Sequence, residues 1–234
     1  MKCSAPLAAL TLILVAGCSG PRDVRDAFNR DGNVIALSGG SGGARNACAT
    51  CHGLKGEGDG HRAPRLAGLD PGYLSRQLDN YADGQRVNPQ MVAVANALTL
   101  DEREKVAAYY AGLVPQRACP APASPIAALY QSGAPSRGIA SCASCHGAAG
   151  EGNAGNPPLA SQPAPYLERQ LADWREGNRY GDPLGVMTRI AKALTPAESA
   201  ALSVYASRLR GGPGYSEPPG ECPPARRASP RSGA

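Results

Sequence analysis

Apolar residues recur through most of this chain at the three-to-four-residue spacing of helices. Tyr73, Leu74, Leu78 and Tyr81 fall on one face, with Gln77 among them, and Asp70 and Pro71 stand where a cap and a first-turn proline belong. Tyr166, Leu167, Leu171 and Trp174 predict a second helix of the same kind. Thr99-Leu100-Asp101-Glu102 and Thr195-Pro196-Ala197-Glu198 have the form of capping boxes, the second with proline at the first helical position. The helices they open are expected to bury Val106, Tyr109 and Leu113, and Leu202, Tyr205 and Leu209. No stretch alternates apolar and polar positions between hairpin turns, so the expected fold class is all-α.

The helices belong to a repeat. Cys48-Ala49-Thr50-Cys51-His52-Gly53 recurs 94 residues later as Cys142-Ala143-Ser144-Cys145-His146-Gly147. Gly56-Glu57-Gly58 returns as Gly150-Glu151-Gly152, and Pro64-Arg65-Leu66 as Pro157-Pro158-Leu159. Tyr73-Leu74-Ser75-Arg76-Gln77-Leu78 returns as Tyr166-Leu167-Glu168-Arg169-Gln170-Leu171, and Gly84 and Arg86 as Gly177 and Arg179. After three additional residues, Met91, Ala95, Glu102 and Tyr109 match Met187, Ala191, Glu198 and Tyr205. Two domains are expected, at residues 44–114 and 133–210. Residues 115–132, proline-rich around Cys119, read as a linker, and residues 211–234 as a flexible tail.

Composition adds constraints. With 29 glycines and 22 prolines in 234 residues and only 5% aromatics, the apolar core is thin for the length, so another group is expected to supply buried apolar surface. The net charge of +5 includes terminal arginines, and no basic stripe interleaves with aromatics, which argues against nucleic-acid binding. Lys2 followed by the apolar run Leu7 to Val15 has the form of a signal peptide over residues 1–17, too short to span a bilayer. Val15-Ala16-Gly17-Cys18 resembles the lipobox of bacterial lipoproteins. That resemblance implies lipid on Cys18, a spacer over residues 18–43 and membrane attachment from the periplasm. Ser19 in place of aspartate points toward the outer membrane, whereas respiratory partners sit in the inner one. Export favours disulfides. Cys119 and Cys222, each following the last helix of its copy, are candidates for one, with two independent thiols as the alternative.

Cys-x-x-Cys-His fits three chemistries. A structural zinc site needs about four soft ligands, and no fourth cysteine or histidine recurs in both copies. A thioredoxin-like dithiol belongs in an α/β pattern, which is absent. Haem attachment requires two thiols to add to the vinyl groups and an adjacent histidine to reach iron, and this is what the motif supplies. Cys48, Cys51, Cys142 and Cys145 are therefore the expected attachment sites of two covalent haem c groups, with His52 and His146 as axial ligands. Met91 and Met187, the only methionines beyond the signal, align with each other and are the candidates for the second axial position. His61 has no counterpart in the second copy and is expected to be a surface residue.

These motifs resemble class I c-type cytochromes, and the tandem resembles the dihaem cytochrome c4 family, over residues 40 to 210. The resemblance implies that the Pro64 and Pro157 carbonyls accept the Nδ1 proton of the axial histidine, with Pro158 as a stand-in in the second copy. It implies haem propionates meeting between the domains, and outer-sphere electron transfer in place of catalysis. The implied partners are a quinol-oxidising complex and a terminal oxidase or reductase. A dihaem peroxidase-like enzyme, or the haem subunit of a periplasmic dehydrogenase, is the alternative. Tyr109 and Tyr205 are read as core residues, not as redox relays.

Overall fold

The computed structural model describes residues 24–120, 124–153, 155–217, 220 and 222. Among them there is no strand, only isolated bridges, and no helix long and apolar enough to cross a membrane. The signal segment and Cys18 lie outside the described residues.

The first unit contains α1 (Val24–Ser38), α2 (Ala49–His52), α3 (Pro71–Ala82), α4 (Pro89–Ala97) and α5 (Leu100–Ala111). The second contains α6 (Ala127–Ser132), α7 (Ala143–His146), α8 (Ala164–Glu176), α9 (Val186–Ala193) and α10 (Pro196–Ser207). The fold is all-α, in two tandem units that repeat one order of helices.

The local signals form as their chemistry dictates. The Asp70 carboxylate accepts the Tyr73 N–H at 2.7 Å, with Pro71 in the first turn of α3. Thr99 and Glu102 close a reciprocal capping box on α5, as do Thr195 and Glu198 on α10. α3 packs on α5 through Leu74, Val106, Ala107 and Tyr110, and α8 on α10 around Leu202 and Ala206. Tyr109 and Tyr205 are half-buried against these cores, whereas Tyr110 is buried outright.

Three segments depart from the expected organisation. Most of the expected spacer is α1, which packs along α5 and buries Ile35 and Ala36. The two helices come close because Gly32 has no side chain: a Cβ there would lie 2.3 Å from the Lys105 carbonyl oxygen. The expected linker likewise contains α6, whose Tyr130 is fully buried and donates to the Gly147 carbonyl at 2.8 Å. The described part of the tail is bound to the linker. Ser216 donates to the Pro115 carbonyl and accepts from the Arg117 N–H, both at 2.9 Å, and Cys119 and Cys222 are joined by a disulfide. Backbone pairing, which does not depend on side-chain pattern, holds this glycine- and proline-rich segment in place.

Candidate haem sites

Each Cys-x-x-Cys-His forms one short helix, α2 or α7, ending at a glycine of positive φ. The turn puts the second cysteine and the histidine side by side, with the histidine buried and that cysteine exposed. His52 Nδ1 lies 2.9 Å from the Pro64 carbonyl oxygen and His146 Nδ1 lies 2.8 Å from that of Pro157. Burial pushes both imidazole pKa values down, with the proline carbonyls working the other way. The neutral ring that results donates from Nδ1 and keeps its Nε2 lone pair for a metal.

The following glycines set this contact. Gly58 donates to the His52 carbonyl and Gly152 to the His146 carbonyl, each at 2.8 Å. Both have φ of 80°, and a Cβ on Gly58 would meet Ala63 and Arg65 backbone at 2.6–2.9 Å. The loop therefore folds onto the segment that carries Pro64 and delivers that carbonyl to the histidine.

The four motif cysteines are free thiols, and burial pushes Cys48 and Cys142 up to about 11. A redox dithiol needs the opposite shift. Among the described residues, no three His, Cys, Asp or Glu side chains gather as a metal cluster, which leaves a structural zinc site without its ligands. An open thiol pair beside a buried, neutral, oriented imidazole fits covalent haem.

Met91 and Met187 stand at the start of equivalent helices, α4 and α9. The Met91 N–H donates to Asn88 Oδ1 at 3.0 Å and the Met187 N–H to Asp182 Oδ2 at 2.7 Å. The additional residues of the second copy form the loop that brings Asp182 to this position. His61 is exposed, its N–H held by Asp59.

Arg86 and Arg179 recur in the two copies, and the sequence alone assigns neither a role. Both are buried at the meeting of the two units, where their backbones pair antiparallel. Arg86 donates to Gln77 Oε1 at 3.1 Å, Gln170 Oε1 at 2.5 Å and the Tyr166 hydroxyl at 2.9 Å. Arg179 donates to Gln170 Oε1 at 3.0 Å, Gln77 Oε1 at 2.9 Å and the Tyr73 hydroxyl at 3.1 Å. Burial works against the Arg86 charge, but the hydroxyls of Tyr166, Tyr81 and Tyr73 outweigh it and hold its pKa up. Among the described residues neither arginine forms an ion pair with a carboxylate. Two buried cations that form no ion pair among the described residues suit the carboxylate edge of a haem.

A family model described as cytochrome c matches residues 40–113 and 127–209. The chain belongs to the cytochrome c family. It is 37% identical over 171 residues to the cytochrome c4 of Thiocapsa roseopersicina, covering 71% of this chain and 88% of that one, which places it with the dihaem cytochromes c4. It is 40% identical over 190 residues to a thiosulfate dehydrogenase electron acceptor of Stutzerimonas stutzeri (strain A1501), covering 75% of this chain and 84% of the other. The solved thiosulfate dehydrogenase of Marichromatium purpuratum, in its as-isolated form, superposes with a TM-score of 0.67 at 38% identity. That match covers 76% of this chain and 40% of that chain. As a tandem cytochrome c, the molecule carries two covalently bound haem c groups and is a dihaem electron carrier.

Proposed function

We propose that this cytochrome is the electron acceptor of a periplasmic dehydrogenase of the thiosulfate-oxidising class, and that it passes electrons on to a terminal oxidase or reductase. The observation that carries the donor assignment is the 40% identity, over most of both chains, to a protein named for that role. Cys48 and Cys51 hold one haem and Cys142 and Cys145 the other. His52 and Met91 would ligate one iron, and His146 and Met187 the other. Haem c supplies reversible one-electron chemistry at a potential set by ligands and burial. The chain's own part is to keep each imidazole neutral by burial and fixed in orientation by the Pro64 and Pro157 carbonyls, and Met91 and Met187 would close each iron to small substrates. The buried charges of Arg86 and Arg179 would hold the propionate edges between the domains.

The segment Leu7 to Cys18 directs export and lipid attachment, so the carrier works tethered in the periplasm. A quinol-oxidising complex is the alternative donor. Mixing oxidised holoprotein with a thiosulfate dehydrogenase and thiosulfate distinguishes the two. We expect both haems to be reduced at a rate proportional to the dehydrogenase concentration. Reduction by a quinol-oxidising complex alone would overturn the assignment. A shift of the reduced spectrum on addition of carbon monoxide would instead support a peroxidase-like enzyme.

A further inference from the structure

The contacts of Arg86 and Arg179 are reciprocal between the two domains, yet one contact between the domains has no counterpart. Arg65 follows Pro64, and its counterpart after Pro157 is Pro158. Arg65 is 2% exposed. Its guanidinium donates to the Ala67 carbonyl of its own domain and, at 3.0 Å, to the Ala160 carbonyl of the other. Ala67 and Ala160 occupy equivalent positions of the two copies. The guanidinium therefore lies where equivalent loops meet, and a second guanidinium from the other copy would bring like charges together at that point.

Gln162 completes the contact from the opposite side. Its Oε1 accepts the Arg65 N–H at 3.0 Å and its Nε2 donates to the Arg65 carbonyl at 2.9 Å. The first copy has Leu69 at that position, so this pairing has no mirror image either. Tyr215, on the strap fastened by the Cys119–Cys222 disulfide, closes over Arg65: its hydroxyl accepts from Nη2 at 3.0 Å and its ring lies 5.3 Å from the guanidinium.

Each loop joined in this way carries one of the proline carbonyls that orient His52 and His146. We propose that Arg65 and Gln162, covered by Tyr215, are positioning residues that lock the two loops into one rigid unit and so fix the separation and orientation of the two haems for electron transfer between them. The lock acts through the loops. It rests on the axial reading of His52 and His146. The bonds of Nη1 and Nη2 and the paired Gln162 amide tie the two loops together, while Arg65 Nε has no partner among the described residues.

The test uses the holoprotein with R65Q, R65K and Q162L, the last placing in the second copy the residue type of the first. Amide exchange is read at Leu66 and Ala67 in one loop and at Leu159 and Ala160 in the other, all donors to Gly56 or Gly150 carbonyls. Transfer between the haems is read after injection of a single electron by a flash-activated donor. We expect R65Q and Q162L each to speed exchange at least tenfold in both loops and to slow inter-haem transfer, with R65K restoring much of both. Faster exchange confined to the loop that carries the substitution, or unchanged transfer, would overturn the proposal. Q162L decides the matter should R65Q fail to fold. The oxidised spectrum of the unaltered holoprotein judges the axial reading separately, through its methionine–iron charge-transfer band. The exchange measurements judge the lock whatever that spectrum gives.

Discussion

Pro64 and Pro157 act through backbone alone: each offers a carbonyl to a histidine Nδ1 and holds its φ fixed. That role was legible through the family resemblance, on a proline that follows the recurring histidine by 12 residues in one copy and 11 in the other. Side-chain contacts without a matching repeat were not legible. Glu198 is one. It closes its capping box and also receives both Nη atoms of Arg137, at 2.6 and 2.8 Å. The hydrogen bond from Arg137 is the main cause holding its carboxyl pKa down at about 2, against an ordinary 4.5. Because the folded-state value is depressed, the stabilisation is complete above pH 4.5 and disappears as pH falls toward 2. Urea unfolding of E198Q and the parent at several pH values should show a gap at pH 6 that closes near the lower limit. A gap independent of pH would mean that the cap geometry, and not the charge, is what matters.

At the scale of elements, capping signals read directly from sequence because they are local: Asp70, Thr99 and Thr195 each bond within three residues. Thr99→Ala and Thr195→Ala should each lower stability by about 1 kcal/mol, measured by urea unfolding, with little change in haem spectra. α1 was not legible, since its Asp, Asn and Gly residues read as spacer and only the groove along α5 gives Ile35 and Ala36 somewhere to go. A subtler failure concerns the carbonyl of Ala95 and its equivalent Ala191. Arg103 of α5 caps the first, through Nε at 3.1 Å and Nη2 at 2.7 Å, while Arg175 of α8 caps the second at 3.1 Å. Arg103 aligns with Ser199 and Arg175 with Ala82, so the same contact arises from non-equivalent positions and aligning the copies hides it. In space the exchange is visible at once, because Arg175 also bonds Ser199 at 2.8 Å.

For the whole molecule, the repeat made two domains legible but said nothing of how they meet, because contacts between copies leave no local pattern. The interface is a square: Arg86 and Arg179 each bond both Gln77 and Gln170, and each takes one tyrosine hydroxyl from the opposite domain. Shared acceptors make the two arginines interdependent. In R86M the carbonyl oxygens of Gln77 and Gln170 each lose one donor but keep Arg179, and the like-charge repulsion is relieved. R179M leaves the mirror situation. Only the double variant strips both buried oxygens of both donors, and a buried acceptor without a partner costs about 1–3 kcal/mol. The double variant should therefore lose more stability than the two single variants together, by about 0.5–3 kcal/mol in a urea double-mutant cycle on the holoprotein. Its radius of gyration in solution scattering should also rise as the domains part, while each single variant keeps the parent value. Additive losses with no expansion would mean that each arginine serves its own domain and that the square is incidental to holding the two haem domains together.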